Sequence, residues 1–243
     1  MSDAATDLAP APVKIGFLIY PMVTALDALG PAQILSAVPG AQMHYIWKEK
    51  APVASDSGYT INPTHDFDDC PQLDVICVPG GFGQVDIMND EAVLGFLRTQ
   101  GQDAKYVTAV CTGSLLLGAA GLLDGYEASC HWAWHEQLAL VGATPKQGRV
   151  VRDRNRMTGG GVTAGIDFGL TLAAELAGED VAKLLQLSFE YDPQPPFVGG
   201  HPTKADPATL ELSRAFMADG VASMAEAAKL AQANKDKARA AAE

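Results

Sequence analysis

The sequence predicts an α/β fold in which a mostly parallel central sheet carries helices on both faces. Three observations support this. Short, nearly continuous apolar runs at residues 13–20, 74–78 and 106–110 have the character of strands buried on both sides. Helical stretches alternate with them, as in successive βαβ units. Neither an internal repeat nor a linker interrupts the 243 residues, a length that suits one large domain.

The elements follow in order. Residues 1–12 contain Asp3 and Asp7, several Pro/Thr breakers and no basic residue, the composition of a frayed tail rather than a secretory leader. Pro21 closes the first strand, and 26–38 reads as a helix with Asp27 near its start. A second strand spans 43–47, and the turn-rich stretch 51–65 suggests a hairpin. The strand at 74–78 ends in Pro79-Gly80-Gly81-Phe82-Gly83. An amphipathic helix over 91–100 leads to the strand at 106–110, then to an apolar helix over 115–120 that Gly121 stops. Beyond it the pattern predicts a short helix at 131–140, a short strand at 149–151 and a triple-glycine turn within 157–162. Helices at 166–176 and 181–191 follow. Asp206-Pro207 opens another over 208–218, and an Ala/Lys-rich terminal helix from Ser223 frays after about Asn234.

Composition narrows the function. Seventeen Lys+Arg against 29 Asp+Glu give a net charge of −12, opposite to what a phosphate backbone attracts, so no nucleic-acid partner is expected. At 48% hydrophobic and 19% charged residues the chain is not a disordered one. No apolar run approaches the roughly 18 residues of a membrane span. The four cysteines, Cys70, Cys77, Cys111 and Cys130, lack CxxC spacing, which fits free thiols in a cytoplasmic protein.

The segment that carries chemistry is 106–118, where a buried strand runs into Cys111, then Thr112 and Gly113, then a helix. In open α/β sheets ligands sit at the carboxyl ends of strands. A helix N-terminus there stabilises a thiolate, so the local pattern predicts a Cys111 pKa below that of a free thiol. Cys77, flanked by Ile76 and Val78 inside a strand, reads as core, and the local context of Cys70 and Cys130 assigns them no role. His131 lies downstream as a possible proton partner. His131 and His135 share i, i+4 spacing, yet no third ligand accompanies them, and no metal is expected. Residues 78–83 lack both the Walker lysine and GxGxxG spacing, which argues against a nucleotide, so no cofactor is expected. That loop suits close backbone approach to a small ligand.

Taken together, Pro79-Gly80-Gly81-Phe82-Gly83, Ala109-Val110-Cys111-Thr112-Gly113 and the 159–167 stretch Gly-Gly-Gly-Val-Thr-Ala-Gly-Ile-Asp resemble the DJ-1/PfpI superfamily. Within it, Leu26-Asp27-Ala28-Leu29-Gly30-Pro31, Cys111-Thr112-Gly113 and Glu190-Tyr191-Asp192-Pro193 resemble the isocyanide hydratases. The resemblance implies a flavodoxin-like three-layer sandwich over 13–202, with 203–243 as C-terminal helices packed on it, and a homodimer. It also implies that Cys111 is a nucleophile, Asp27 its acidic partner and Thr112 a third member of the catalytic set. Gly81 would be a backbone donor near the thiol. Gly80, Gly81, Tyr191, Gly160 and Val162 would contact substrate, the last two from a mobile stretch beside the site.

The activity implied is hydration of an isocyanide to an N-substituted formamide through a thioimidate on Cys111. An alternative is a glyoxalase-like or stress-response member acting on small dicarbonyls, and a non-catalytic sensor or chaperone is a third reading. Thr112 stands where protease relatives place histidine, which argues against proteolysis. Only about 40 residues follow Pro202, too few for the helix-turn-helix module of the related regulators.

Overall fold

A computed structural model describes residues 11–242. Residues 1–10 of the expected tail lie outside the described residues, and Ala11 and Pro12 precede the first strand. The chain begins with β1 (Val13–Leu18), α1 (Ala25–Leu35), β2 (Ala41–Ile46), the short hairpin strands β3 (Val53–Ala54) and β4 (Thr60–Ile61), and β5 (Val75–Val78). It continues with α2 (Gln84–Ile87), α3 (Glu91–Asp103), β6 (Tyr106–Val110), α4 (Gly113–Ala119) and β7 (Glu127–Ala128). A 3-10 helix (His135–Val141), β8 (Thr144–Pro145), β9 (Val150–Asp153), β10 (Arg156–Gly159), α5 (Ala164–Ala177), α6 (Glu179–Ser188) and α7 (Pro207–Ala242) complete it.

The main sheet runs β2–β1–β5–β6–β10–β9, with every pairing parallel except the edge strand β9 against β10. Burial explains the positions. All four residues of β5 and the last four of β1 and β6 are inaccessible, as central strands covered on both faces require. Edge strand β9 instead exposes Arg152.

From β1 the chain crosses to β2 on one side, whereas β5 crosses to β6 on the other. Right-handed crossovers then place α1 and α3 on opposite faces. Helix α5 packs on α1 and α6 on α5, while α4, α7 and the 3-10 helix pack together on the side of α3. The order reverses between β1 and β5, and beyond the carboxyl ends of these strands lies the crevice where open α/β sheets bind ligands.

Three local expectations are corrected. The predicted turn within 157–162 is in its first part strand β10, paired with β6 through Met157↔Thr108 and Gly159↔Val110. The predicted helix at 131–140 is a turn followed by the 3-10 helix, so His131 and His135 do not share an α-helical face. The two C-terminal helices are one, α7, which reaches Ala242 without fraying after Asn234. Its end is anchored: Lys235 Nζ donates to Gly118 O (2.9 Å), Val141 O (2.9 Å) and Asp124 Oδ1 (2.7 Å), and Arg239 also pairs with Asp124. Lysine there satisfies carbonyls at the ends of α4 and the 3-10 helix.

No helix among the described residues is long and apolar enough to cross a membrane. All four cysteines are free.

Candidate active site

Asp27 stands in the first turn of α1 and is fully buried. Four residues on, Pro31 lacks the N–H that would bond the Asp27 carbonyl within the helix. Asp27 Oδ2 accepts from the Gly80 N–H (2.9 Å), while Oδ1 has no conventional hydrogen-bond partner. The Cys111 thiol is beside the carboxyl and interacts with it. Burial dominates and lifts the Asp27 pKa to about 7, against the smaller lowering by the Gly80 N–H and by Cys111.

Cys111 ends β6 with φ of 58°, a left-handed conformation that costs a non-glycine residue about 1 kcal/mol or more. Its N–H is shared between the carbonyls of Gly159 (3.1 Å) and Gly160 (2.8 Å), which holds the turn against the end of β10. Gly113, the next residue but one, is required by close approach: a Cβ there would lie 1.9 Å from the Val78 carbonyl oxygen. Gly113→Ala should therefore lower folding stability by about 3 kcal/mol or more, measured as a fall in the denaturation midpoint. Thr112 Oγ1 accepts from the Gly81 N–H (3.1 Å), clasping the β5 loop to the β6 turn. At Gly80 a Cβ would lie 2.6 Å from Asp27 Oδ2 and 2.8 Å from the Thr112 nitrogen, so a side chain there would separate the carboxyl from the cysteine turn.

The thiol departs from the sequence expectation. Cys111 is 5% exposed, and its pKa is raised well above that of an ordinary thiol, first by burial and then by the Asp27 charge. The Thr112 N–H acts in the opposite sense and is outweighed. Helix α4 has only seven residues, and no cation is among the main influences on either Cys111 or Asp27. The pair is thus a thiol and a carboxyl in one desolvated space, competing for few protons. Tyr20, buried beside them, donates to the Pro79 carbonyl (2.9 Å), and its own ionisation is pushed up by burial and by both acids.

A cavity of about 250 Å³ opens onto Cys111. Thr112, Gly81, Val162 and His131 also line it, and Phe82, Trp134, Met217 and Met224 contribute apolar wall. The His131 ring accepts at Nδ1 from the Ala133 N–H (3.2 Å), and burial lowers its pKa to about 4, leaving a neutral imidazole. A larger depression of about 500 Å³ lies by Val13, Lys105, Tyr106 and Arg152 and contains neither Cys111 nor Asp27.

Cys111, Thr112, Gly81 and Val162 thus meet at one cavity, and Asp27 stands behind it. Three of the residues expected to contact substrate sit elsewhere. The Gly80 N–H is occupied by Asp27, and Gly160 supports the cysteine turn through its carbonyl. Tyr191 donates to Asp167 Oδ2 (2.9 Å), beside the Arg149–Asp167 ion pair, and lines no part of the cavity. The Gly81 N–H is likewise spent on Thr112 rather than free beside the thiol. The apolar wall from Phe82, Trp134 and α7 was not anticipated. Its one sequence signal is the stripe Met217, Gly220, Met224, whose spacing places the three on one helix face. Among the described residues no group of three or more His, Cys, Asp or Glu is placed to hold a metal ion.

The fold and this geometry define a class of α/β protein that sets a cysteine on a strained strand-to-helix turn beside a buried carboxyl. Residues 13–175 match the DJ-1/PfpI family, and the chain belongs to it. It is 54% identical over 202 residues to the isonitrile hydratase of Pseudomonas putida, covering 83% of this chain and 89% of that protein. The crystal structure of a THiJ/PfpI family protein from Pseudomonas syringae superposes with a TM-score of 0.89 at 41% identity, covering 94% of this chain and 97% of that one. The HTH-type transcriptional regulator GbdR of Pseudomonas aeruginosa is 31% identical over 74% of this chain, a match that spans 51% of the regulator.

Proposed function

We infer that this protein is an isonitrile hydratase, a hydro-lyase that converts an isocyanide and water to an N-substituted formamide. Identity of 54% across most of both chains to a hydratase carries this reading.

The mechanism we propose uses the Cys111–Asp27 pair as a shared-proton unit. Above pH 7 the reactive form holds one proton, Asp27 carboxylate facing Cys111 thiol. Asp27 takes the thiol proton as sulfur adds to the terminal isocyanide carbon, and delivers it to that carbon, giving R–N=CH–S–Cys111. The carboxylate then removes a proton from water as its oxygen adds to the same carbon, and passes that proton to nitrogen. The C–S bond breaks as the adduct's hydroxyl proton returns through Asp27 to sulfur, and R–NH–CHO leaves. Each step moves one proton over a short distance inside a desolvated site, where a carboxyl with pKa near 7 serves as both acid and base. Thr112 supports the unit through its N–H toward sulfur and its hydroxyl to Gly81.

We further propose that the enzyme works in the cytoplasm as a homodimer. Leu26 and Leu29 on α1 and Leu184 and Leu187 on α6 are exposed apolar side chains on helices of one layer, which supports an interface there.

Purified protein mixed with benzyl isocyanide should produce N-benzylformamide, followed by chromatography, and should leave methylglyoxal unchanged. Dicarbonyl turnover without formamide would reverse the assignment.

A further inference from the structure

The sheet supplies the reactive end of the cavity, but its far wall comes from α7, which starts at Pro207, beyond the 13–175 stretch that matches the family. Met217 and Met224 lie seven residues apart on one face of α7, and Gly220 sits between them on the same stripe. Gly220 is a notch: a Cβ there would lie 2.7 Å from Phe82 and 3.6 Å from Trp134, so both rings nest against the helix. The methionines on either side of it both line the cavity. Met224 is 1% exposed, and Phe216 stands 87% exposed at the rim.

The wall is fixed in place. Trp134 Nε1 donates to the Gly220 carbonyl (3.4 Å), Gln137 Nε2 to the Val221 carbonyl (2.9 Å) and Asn89 Nδ2 to the Ala227 carbonyl (3.1 Å). These bonds come from the 3-10 helix, the turn that leads into it and the stretch after α2, and they fix α7 at three points along its length.

The charge of the lining is equally one-sided. Among the described residues no lysine or arginine lines the cavity, and the ionisable ones that do are Cys111, His131 and Asp56. Asp56 accepts from the Ala25 N–H (3.2 Å) at the start of α1, which fixes a carboxylate at the cavity edge. A second carboxylate, on a substrate, would meet this charge with no cation to pair it.

Resting on the hydratase reading, we propose that Met217 and Met224 are specificity-determining residues of this site, and that with Asp56 they select isocyanides whose substituent is uncharged and apolar. A cavity of about 250 Å³ sits at the small end of ligand sites, which suits a single ring or short alkyl group. Methionine suits such a wall because its unbranched, polarisable side chain conforms to differing apolar shapes.

The test compares kcat/KM for three probes: benzyl isocyanide, methyl isocyanoacetate and the isocyanoacetate anion. The wild type should prefer benzyl isocyanide to the anion by at least about 100-fold, with the neutral ester close to benzyl isocyanide. Met217→Lys, at a half-buried position, should cut that preference at least about tenfold by giving the anion a partner. Asp56→Asn, which keeps an oxygen for the Ala25 N–H, should cut it about tenfold without touching α7. A wild-type preference near one, or a preference unchanged in both variants, overturns the proposal while leaving the hydratase reading intact. Turnover of none of the three probes by the wild type overturns both.

Discussion

Cys111→Ala should lower kcat/KM for formamide production by about 10⁴-fold or more, because the step that splits the hydration in two is lost with the sulfur. The fold should survive. Alanine keeps the left-handed backbone that Cys111 already occupies at φ of 58°, and the shared N–H bonds to Gly159 and Gly160 remain. The stability loss should stay near 1 kcal/mol, the scale of removing one buried sulfur. Intact-mass spectrometry of protein quenched during turnover gives a second readout. The wild type should gain one substrate mass, the thioimidate, and Cys111→Ala should gain nothing. Undiminished turnover in the variant would remove the covalent route.

Asp27→Asn should affect activity and stability in opposite directions. With the proton carrier gone, kcat/KM should fall about 10²–10⁴-fold. The wild-type profile should rise through pH 7, roughly tenfold per unit below it, as Asp27 gives up the proton that blocks its role as base. The variant should lose that limb. Stability follows from the direction of the shift. The folded pKa of about 7 lies above that of an unfolded aspartate, so the folded chain holds the proton more tightly. The resulting stabilisation is complete below about pH 4 and is lost as pH rises through 7, a loss of up to about 4 kcal/mol by pH 8. Asparagine presents an oxygen to the Gly80 N–H and cannot ionise, so Asp27→Asn should unfold at higher denaturant than wild type at pH 8 and close to it at pH 4. Equal midpoints at both pH values would show that the carboxyl is not desolvated as described.

These two residues also mark where reading the sequence succeeded and where it stopped. Strands β1, β5 and β6 were visible because each is covered on both faces and so is apolar along its length. Strand β10 was hidden because Met157, Thr158 and Gly159 run into Gly160 and Gly161, and local glycine content outweighed a pairing that only β6 supplies. The break expected within α7 had the same origin. Gly220 lowers helix propensity locally, yet it is there because Phe82 and Trp134 leave no space for a side chain. The cysteine turn was recognisable from its strand, small residues and helix. The sign of the thiol pKa was not, since it depends on burial and on Asp27, distant in sequence and brought close only by the sheet. The motif around Tyr191 implies a substrate contact, whereas in the fold its hydroxyl donates to Asp167.

The cysteine turn belongs to the sheet and the methionine stripe to α7. On the role proposed for Met217 and Met224, substitutions on the late helix would change which molecules are admitted while leaving Cys111 and Asp27, which stand on other elements, in place.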